Sequence, residues 1–250
     1  MLAEERQAQI AEYVQRKGSV STMELMSAFD ASESTIRRDL SVLSRRRLVA
    51  RVHGGATKIR ANSQLHDEAS ASRSRLNASA KEAIARVAVG LVEPDDFVYI
   101  DGGTTTITMA EMMDQTSATF VTDSLPVAQR LLGRGCHVIL LGGTLKPLTE
   151  VVVGAATVEA ISRMHFTVGF FGTNGVTPEA GFTTPELEEA TVKEAALRQT
   201  QHAYVLCDSS KFDRVSPVSF GAFEDATIIT DAMPCDPEYR QYDNFVEVKG

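Results

Sequence analysis

The first part of the chain places apolar residues at helical spacing between short polar turns. Ile10, Tyr13 and Val14 recur at intervals of three and four residues, which predicts an amphipathic helix over residues 6–16. Thr22 is the expected N-cap of a second helix. The pattern therefore predicts two short helices before residue 30.

A third helix is predicted after a short turn, with Ser32 as its N-cap and its end near Arg46. Ile36, Leu40 and Leu43 are spaced i, i+4, i+7 and face the core. The exposed face that remains is polar and basic, and it consists of Ser34, Thr35, Arg37, Arg38 and Ser41. Hydroxyl and guanidinium groups on such a face can reach base edges and phosphates in a major groove. This arrangement is typical of a helix-turn-helix domain.

An alternating segment over residues 48–53 precedes Gly54-Gly55 and predicts a small β-wing with a tight tip, to which His53 belongs. Four arginines flank the entry to this wing, namely Arg45, Arg46, Arg47 and Arg51. We expect them to contact the DNA backbone. The alternative is a three-helix domain with a solvated basic face, but helix order, turn, exposed face and wing all favour DNA binding.

Residues 58–80 are rich in Ser, Ala, Asn and Arg without apolar periodicity, which is typical of a connector. The predicted organisation is a winged helix-turn-helix domain over 1–58, a linker over 59–77 and an α/β domain over 78–250. The sequence leaves open whether the linker is a signalling hinge or a simple tether.

From residue 78 onward, helical patterns alternate with short β-rich runs. Helices are predicted at residues 84–91, 105–113, 126–132, 155–164 and 186–198. Strands are predicted at residues 97–100, 119–121, 137–141, 168–171, 203–207 and 227–229, the last of which closes the set. The alternation predicts the α/β class, with a Rossmann-like, mainly parallel sheet covered on both faces.

Small and polar residues follow five of these predicted strands. The five segments begin at Asp101, Thr122, Gly142, Gly172 and Asp208. Ligands of open parallel sheets bind outside the carboxyl ends of the strands. One polar turn would carry little information, whereas five together favour a binding site for a polar ligand.

The segment Gly102-Gly103-Thr104-Thr105 opens a predicted helix. Glycines allow close backbone approach, threonine hydroxyls donate hydrogen bonds, and a helix N-terminus favours an anion. The segment has neither the Walker GK[ST] sequence nor the dinucleotide GxGxxG pattern, so it favours a small phosphate over a nucleotide. A glycine turn with a threonine cap is the alternative interpretation.

Two lysines could supply a cation for such a phosphate. Lys193 lies four residues after Glu189, and an exposed ion pair of little energetic value is the alternative. Lys211 follows Asp208 and could equally be a surface charge. A sugar phosphate requires cations for its phosphate and carboxylates for its hydroxyls, which makes both lysines candidates for the site.

The charge of the chain is unevenly distributed. The 250 residues carry a net charge of -8, which taken alone argues against nucleic acid as a partner. Residues 1–60, however, hold 11 Lys+Arg and 7 Asp+Glu, a net +4, whereas the remainder carries -12. A basic first part joined to an acidic body favours an anionic polymer as the partner of the first part only.

Other classes of protein are disfavoured. No apolar run approaches the roughly 18 residues of a membrane-spanning helix, and the polar N-terminus lacks a signal-peptide core. Cys136, Cys207 and Cys235 have neither zinc-site nor disulfide-framework spacing, and the five histidines do not cluster. We therefore expect a cytoplasmic protein without a metal, a cofactor or membrane contact.

Two motifs lie close together in the first part of the chain. They are Thr35-Ile36-Arg37-Arg38-Asp39-Leu40 and Arg51-Val52-His53-Gly54-Gly55-Ala56. Over residues 4–57 the sequence resembles the DeoR family of bacterial transcription regulators, which implies a winged helix-turn-helix that binds double-stranded operator DNA. The family commonly has glycine before the first wing strand, where this chain has Arg47, and left-handed geometry would cost Arg47 about 1 kcal/mol or more.

Five motifs of the second part are similar to motifs of the sugar-phosphate sensor domain of the same family. They are Asp101-Gly102-Gly103-Thr104-Thr105, Gly142-Gly143-Thr144-Leu145, Gly181-Phe182-Thr183, Glu189-Ala190-Thr191-Val192-Lys193 and Asp208-Ser209-Ser210-Lys211-Phe212. The similarity covers about residues 78–235 and implies a fold similar to that of ribose-5-phosphate isomerase.

This resemblance implies that residues 101–105 hold the effector, with Lys193, Asp208 and Lys211 around it. The strand ends add Asp123, Gly143 and Asn174 to the expected site. Asp123 replaces the asparagine of the family's Thr-Asn-Ser, and a carboxylate repels phosphate, so Asp123 either meets sugar hydroxyls or lies off the site. Thr167 stands where the family often has Asp.

Together these observations predict a DNA-binding transcription regulator. We expect a repressor of a sugar-utilisation operon of the phosphotransferase type, released from its operator by a phosphorylated sugar. Helix-turn-helix domains usually bind paired half-sites, so a homodimer or homotetramer is expected. The alternatives are a sugar-phosphate isomerase-like enzyme with a DNA-binding appendage, for which the sequence shows no positioned general base, and a regulator with the opposite response.

Overall fold

The computed structural model describes residues 3–45, 49–52, 55–57, 76–234 and 237–248. Contacts within the chain divide it into two compact units, Met1–Asn62 and Ser63–Gly250. The linker predicted over 59–77 lies almost wholly outside the described residues. Each unit is therefore described by itself.

The described residues of the first unit form three helices and a small antiparallel sheet. Its elements are α1 (Ala3–Lys17), β1 (Ser19–Ser21), α2 (Thr22–Phe29), α3 (Glu33–Arg45), β2 (Ala50–Val52) and β3 (Gly55–Thr57). The sheet has the order β1-β3-β2. Ile36, Leu40 and Leu43 are fully buried, as the periodicity predicted, and pack with residues of the other helices and of the sheet. The predicted helix-turn-helix with a wing is confirmed.

The N-cap of α3 was predicted, whereas the N-cap of α2 was not. The N-cap of α2 is Ser21, whose Oγ accepts a hydrogen bond from the Glu24 amide at 3.1 Å, so the assignment to Thr22 was wrong by one residue. Serine and threonine are both good N-caps, and sequence alone does not choose between neighbours. Ser32 precedes α3 as predicted, and its Oγ accepts from the Thr35 amide at 3.4 Å.

The strand β1 was not predicted, and it changes the role of Gly55. Gly55 pairs with Ser21 within the sheet instead of forming a turn tip. A Cβ atom at Gly55 would lie 2.1 Å from the carbonyl oxygen of Val20, so this position requires glycine. The predicted tip residues His53 and Gly54 are outside the described part of the chain.

In the second unit, the described residues form a seven-stranded parallel sheet. The strands of this sheet are β4 (Phe97–Ile100), β5 (Thr119–Thr122), β6 (His137–Leu140), β9 (Phe166–Gly172), β12 (Thr200–Leu206), β14 (Thr227–Thr230) and β15 (Phe245–Glu247). Their order in the sheet is β15-β14-β12-β9-β4-β5-β6. Successive strands extend from β4 in one direction and from β9 in the other. The strand order therefore reverses between β4 and β9, which confirms the Rossmann-like α/β class and creates a crevice there.

In the described part of this unit, five α-helices cover the two faces of the sheet. They are α4 (Ala78–Val89), α5 (Thr104–Met112), α6 (Leu125–Gly133), α7 (Ala155–Ile161) and α8 (Leu187–Arg198). Val98 and Ile100 of β4 belong to the cluster that contains α4, α5 and α6 residues, while Tyr99 belongs to the cluster that contains α7 and α8 residues. Both faces of the sheet are therefore covered, as the alternation of helices and strands predicted.

Several short strands were missed. They are the hairpin β7 (Thr144–Leu145) and β8 (Val152–Val153), the small antiparallel sheet of β10 (Gly175–Thr177), β11 (Gly181–Thr184) and β13 (Val218–Gly221), and the edge strand β15. The prediction that residues 227–229 close the sheet was wrong, because β15 pairs with β14 beyond them. These strands have only two to four residues each, which is too short to show an alternating pattern. None of the described helices has both the length and the apolar content needed to cross a membrane.

We expect Gly55→Ala to destabilise the first unit by about 1–3 kcal/mol, because its Cβ would push β3 away from β1. Thermal unfolding of the variant should show a lower transition for this unit and weaker DNA binding. Gly90→Ala is the matched control, since its Cβ would meet nothing closer than 3.5 Å. Equal unfolding temperatures for both variants would contradict the close approach of the two strands.

Candidate functional site

The exposed face of α3 carries the residues predicted to contact DNA. Ser34, Arg37 and Arg38 are exposed, while Thr35 and Ser41 are half-buried. The Arg37 guanidinium lies 2.6 Å from Oε1 of Glu33, and the Ser41 hydroxyl donates to the Arg37 carbonyl oxygen at 2.7 Å. The side chains of Arg45 and Arg51, and the whole of His53, lie outside the described part of the molecule.

A buried carboxylate that the sequence did not single out fixes α3 against α1. Asp39 is 2% exposed and accepts hydrogen bonds from Arg6 Nε at 2.7 Å and from Gln7 Nε2 at 2.8 Å. A charge-assisted bond in a half-buried position is stronger than a surface ion pair. Asp39 therefore holds the angle at which α3 presents its exposed face.

A cavity of about 300 Å³ lies at the carboxyl ends of β4, β9 and β12, where the strand order reverses. Eight of the predicted effector residues line it, namely Gly102, Gly103, Thr104, Thr105, Asn174, Lys193, Asp208 and Lys211. The structure thus brings together residues from four separate sequence motifs.

The start of α5 forms one wall of the cavity. Gly103 is the N-cap and has no side chain to accept from the first-turn amides, which leaves them available to an anion. A Cβ atom at Gly102 would lie 2.2 Å from Cγ1 of Val151, so glycine is required by packing as well as by access. The Thr106 hydroxyl donates to the Gly103 carbonyl oxygen at 2.9 Å and stabilises the turn.

Lys193 and Asp101 form a buried ion pair beside the cavity. Asp101 Oδ2 also accepts from the Gly172 amide at 2.8 Å, and Lys193 Nζ donates to the Gly172 carbonyl oxygen at 3.2 Å. The alternative of an exposed Glu189–Lys193 pair is therefore wrong, because Lys193 is 5% exposed and turns toward the sheet. Burial raises the pKa of Asp101 although Lys193 opposes it. Asp101 is not part of the cavity lining and holds Lys193 from behind.

Glu189 lines the cavity from α8, although the sequence suggested only a surface role for it. Its Oε1 accepts from the Thr149 hydroxyl at 2.8 Å and lies 3.3 Å from Lys146 Nζ. Glu189 is thus a second carboxylate in the cavity lining, in addition to Asp208. Asp208 Oδ1 accepts from Asn77 Nδ2 at 2.9 Å.

Asp123 is buried behind the cavity and does not line it. Burial, followed by the charge of Asp101, raises the pKa of Asp123 well above its usual range. Burial and the charges of Asp123 and Asp101 likewise raise the pKa of the Tyr99 hydroxyl. Of the two possibilities raised by the sequence, the structure supports a position off the cavity surface, where burial disfavours the charged form of Asp123.

Gly143 also lies outside the cavity lining, contrary to the prediction. A Cβ atom there would lie 2.3 Å from Oγ1 of Thr157 and 2.6 Å from the Val153 carbonyl oxygen. The glycine is therefore explained by close packing under the β7–β8 hairpin. Its GGT pattern looks the same in sequence as the pattern at Gly102, where a ligand could approach.

The structure adds residues that were not among the predicted site residues. Lys81 lies in the first turn of α4, is 5% exposed and lines the cavity. Arg214, Thr173 and Ser210 line it as well. Lys81 follows the predicted connector, and a lysine in a helical pattern carries no signal of its own. Among the described residues, no group of His, Cys, Asp or Glu is arranged to hold a metal ion.

Both parts of the chain match known domains. A DeoR-like helix-turn-helix domain matches residues 6–62, and a DeoR C terminal sensor domain matches residues 76–232. The chain belongs to the DeoR family. It is accordingly a DNA-binding transcription regulator, with the cavity in its sensor domain.

Relatives within the DeoR family match nearly the whole chain. The Bacillus subtilis protein named as uncharacterized HTH-type transcriptional regulator FruR is 41% identical over 248 residues, covering 99% of this chain and 96% of that protein. A lactose phosphotransferase system repressor from Staphylococcus epidermidis is 32% identical over 250 residues, covering 98% of each chain. Ribose 5-phosphate isomerase A from Methanocaldococcus jannaschii aligns with a TM-score of 0.42 at 14% identity, covering 54% of this chain and 55% of that one.

We expect Asp123→Asn to stabilise the sensor relative to the wild type, and we expect this difference in the free energy of unfolding to grow as pH rises. Below about pH 4 the carboxyl is protonated in both the folded and the unfolded chain, and the substitution changes little. At higher pH the unfolded chain releases the proton while the folded chain retains it, because the folded pKa is raised. The wild type then loses up to about 1.4 kcal/mol per pH unit, which the variant does not.

Melting temperatures of both proteins from pH 4 to 8 test this expectation. Asp114→Asn, at an exposed position of the same unit, is the control and should follow the wild type. If the melting temperatures of Asp123→Asn and the wild type changed in parallel with pH, the Asp123 carboxyl would be ionised in the folded protein at no cost in folding free energy.

Proposed function

We propose that this regulator represses a sugar-utilisation operon of the phosphotransferase type and that a phosphorylated sugar releases it from its operator. The observation that carries the proposal is the composition of the cavity wall. Cationic side chains, carboxylates and an open helix N-terminus meet in one cavity of about 300 Å³, in the same chain as a DNA-binding domain. The name of the lactose phosphotransferase system repressor, a relative over the full length, supports the same class of operon.

The phosphate of this effector would lie at the N-terminus of α5, between the first-turn amides and basic side chains. Lys81, Lys211 and Arg214 line the cavity and provide positive charge. Helix amides and lysines together form an anion site even in an acidic protein, because the attraction is local. The hydroxyls of the sugar would then meet Glu189 and Asp208, which line the cavity and accept hydrogen bonds.

The DNA-binding unit would place α3 in the major groove, with Arg37 and Arg38 on the exposed face toward the operator. Operators of such domains carry two half-sites, so we infer a homodimer or homotetramer acting in the cytoplasm. Regulation would require the effector to bind one conformational state more tightly than the other.

We infer that the sensor does not turn its ligand over. An isomerase requires a general base within hydrogen-bond reach of the substrate carbon that loses a proton. The carboxylates that line the cavity already accept bonds from Thr149, Asn77 and Ser210, and Asp101 lies outside the lining. An assay of isomerisation with pentose and hexose phosphates tests this inference, and measurable turnover would overturn it.

If the Arg38 guanidinium reads a base, Arg38→Ala should weaken operator binding by about 1–3 kcal/mol. If it contacts a phosphate, the slope of the logarithm of the binding constant against the logarithm of the salt concentration should become shallower by about one. Fluorescence anisotropy with operator DNA at several salt concentrations distinguishes the two. Arg130→Ala, an exposed arginine of the sensor unit, is the matched control and should bind DNA like the wild type. Unchanged affinity and salt dependence for Arg38→Ala would exclude a role of this face in DNA binding.

Lys81→Met should abolish the thermal stabilisation that a sugar phosphate gives to the wild type. A ligand present at 100 times its Kd stabilises a protein by about 2.7 kcal/mol. Differential scanning fluorimetry with glucose 6-phosphate, fructose 1-phosphate and fructose 6-phosphate measures the effect. Arg86→Met, an exposed cation on the same helix, serves as control. A Lys81→Met protein that responds as strongly as the wild type would remove Lys81 from the site.

A further inference from the structure

The hairpin β7–β8 carries a loop, Lys146–Val151, that reaches the cavity. Each strand of the hairpin contributes only two paired residues. The loop closes on itself, since the Lys146 amide donates to the Val151 carbonyl oxygen and the Glu150 amide to the Lys146 carbonyl oxygen, both at 2.9 Å. Thr149 and Val151 line the cavity. This loop, called the cavity loop below, therefore forms part of the wall although it belongs to no ligand motif.

One end of the cavity loop is held against the glycine turn and the end of β5. The Val151 side chain lies directly over Gly102, where a Cβ atom would be 2.2 Å away from it. The Leu125 amide donates to the Glu150 carbonyl oxygen at 3.0 Å, and the Val152 amide donates to the Asp123 carbonyl oxygen at 2.7 Å. Backbone bonds thus fix this end of the loop beside the predicted phosphate position.

The other end of the cavity loop depends on one cation. Lys146, whose side chain is 14% exposed, pairs with Glu186 and lies 3.3 Å from Glu189 Oε1. The Thr149 hydroxyl donates to the same oxygen of Glu189 at 2.8 Å. Glu186 and Glu189 belong to the start of α8, so the contacts of Lys146 join the loop to the wall that carries the second carboxylate. Without the charge of Lys146, two carboxylates on neighbouring turns would repel each other there.

We propose that the cavity loop is the cover of the effector site and that Lys146 is the positioning residue that holds it closed and directs Glu189 toward a sugar hydroxyl. The proposal rests on the proposed function, since it names the part of the same cavity that distinguishes a sugar phosphate from phosphate alone. A bare phosphate would be held by the α5 amides and the lysines. A sugar phosphate would also need Glu189, and its release would require the cover to part from α8.

Lys146→Met removes the charge and keeps most of the length of the side chain. The dissociation rate of the tightest binder among glucose 6-phosphate, fructose 1-phosphate and fructose 6-phosphate should rise by about tenfold or more, because the contacts of Lys146 hold the loop that must part from α8 before the ligand leaves. The affinity for inorganic phosphate should change by less than about twofold, because inorganic phosphate does not reach Glu189. Lys146→Arg should restore most of the wild-type rate.

Two further variants separate positioning from general stability. Thr149→Val removes only the hydroxyl that Glu189 accepts and should raise the same dissociation rate by a smaller factor. Arg198→Met breaks an exposed ion pair with Glu194 on the same helix and should leave the binding of sugar phosphate and of inorganic phosphate unchanged. If Lys146→Met weakened the binding of sugar phosphate and of inorganic phosphate equally, Lys146 would have a general structural role and the proposal would be overturned.

Hydrogen exchange of the ligand-free protein provides a test that needs no ligand. The amides of the cavity loop should exchange faster in Lys146→Met than in the wild type, while β4 and β9 keep their protection. Unchanged exchange in the loop would overturn the proposal. If the wild type binds none of the sugar phosphates, the proposed effector class fails, whereas exchange still decides whether Lys146 holds the cover.

Discussion

The buried pair of Asp101 and Lys193 is the contact on which the sensor site depends. It joins the end of β4 to α8, and both partners also bond to the backbone of Gly172 at the end of β9. The strand order of the sheet reverses between β4 and β9. Removing one partner of a buried pair costs about 3–5 kcal/mol, because the other charge stays in a site of low polarity. The pair therefore fixes the distance between the glycine turn and α8, and with it the width of the cavity.

The arrangement of charge explains how an acidic body can hold an anion. The second part of the chain carries a net -12, and its field opposes an approaching phosphate. Behind the cavity wall, however, Asp101 pairs with Lys193, and burial raises the pKa of Asp123, which disfavours its charged form. Lys81, Lys211 and the start of α5 line the cavity and would act on a phosphate at short range, while Glu189 and Asp208 line the same cavity and would meet the sugar hydroxyls. The acidic surface in turn disfavours contact with DNA, which leaves DNA binding to the basic first unit.

The fold was predictable where one local pattern decides it. Apolar runs such as 97–100 gave strands at the right places, and Ile36, Leu40 and Leu43 identified the inner face of α3. The partner of Lys193 was not predictable, because Asp101 lies 92 residues away and the nearer Glu189 has the spacing of a helical ion pair. Gly143 shares its sequence pattern with Gly102 but serves packing. Local sequence reports the chemistry of a residue, whereas its role depends on which element packs against it.

Regulation requires only that a ligand shift the equilibrium between two conformations of the protein by the free energy of a few contacts. A tenfold change in DNA affinity corresponds to about 1.4 kcal/mol of coupling. A hydrogen bond to a charged group contributes about 1.5–3 kcal/mol, so one such bond that forms in only one of two conformations suffices. Glu189 lines the cavity, and one of its oxygens accepts from Thr149 and lies near Lys146 of the cavity loop. A sugar hydroxyl that also bonds to Glu189 would join the proposed effector to the helix that the closed loop contacts. The proposed effector would therefore bind the closed conformation more tightly than the open one, and such a difference in affinity is the condition for a ligand to favour one conformation over another.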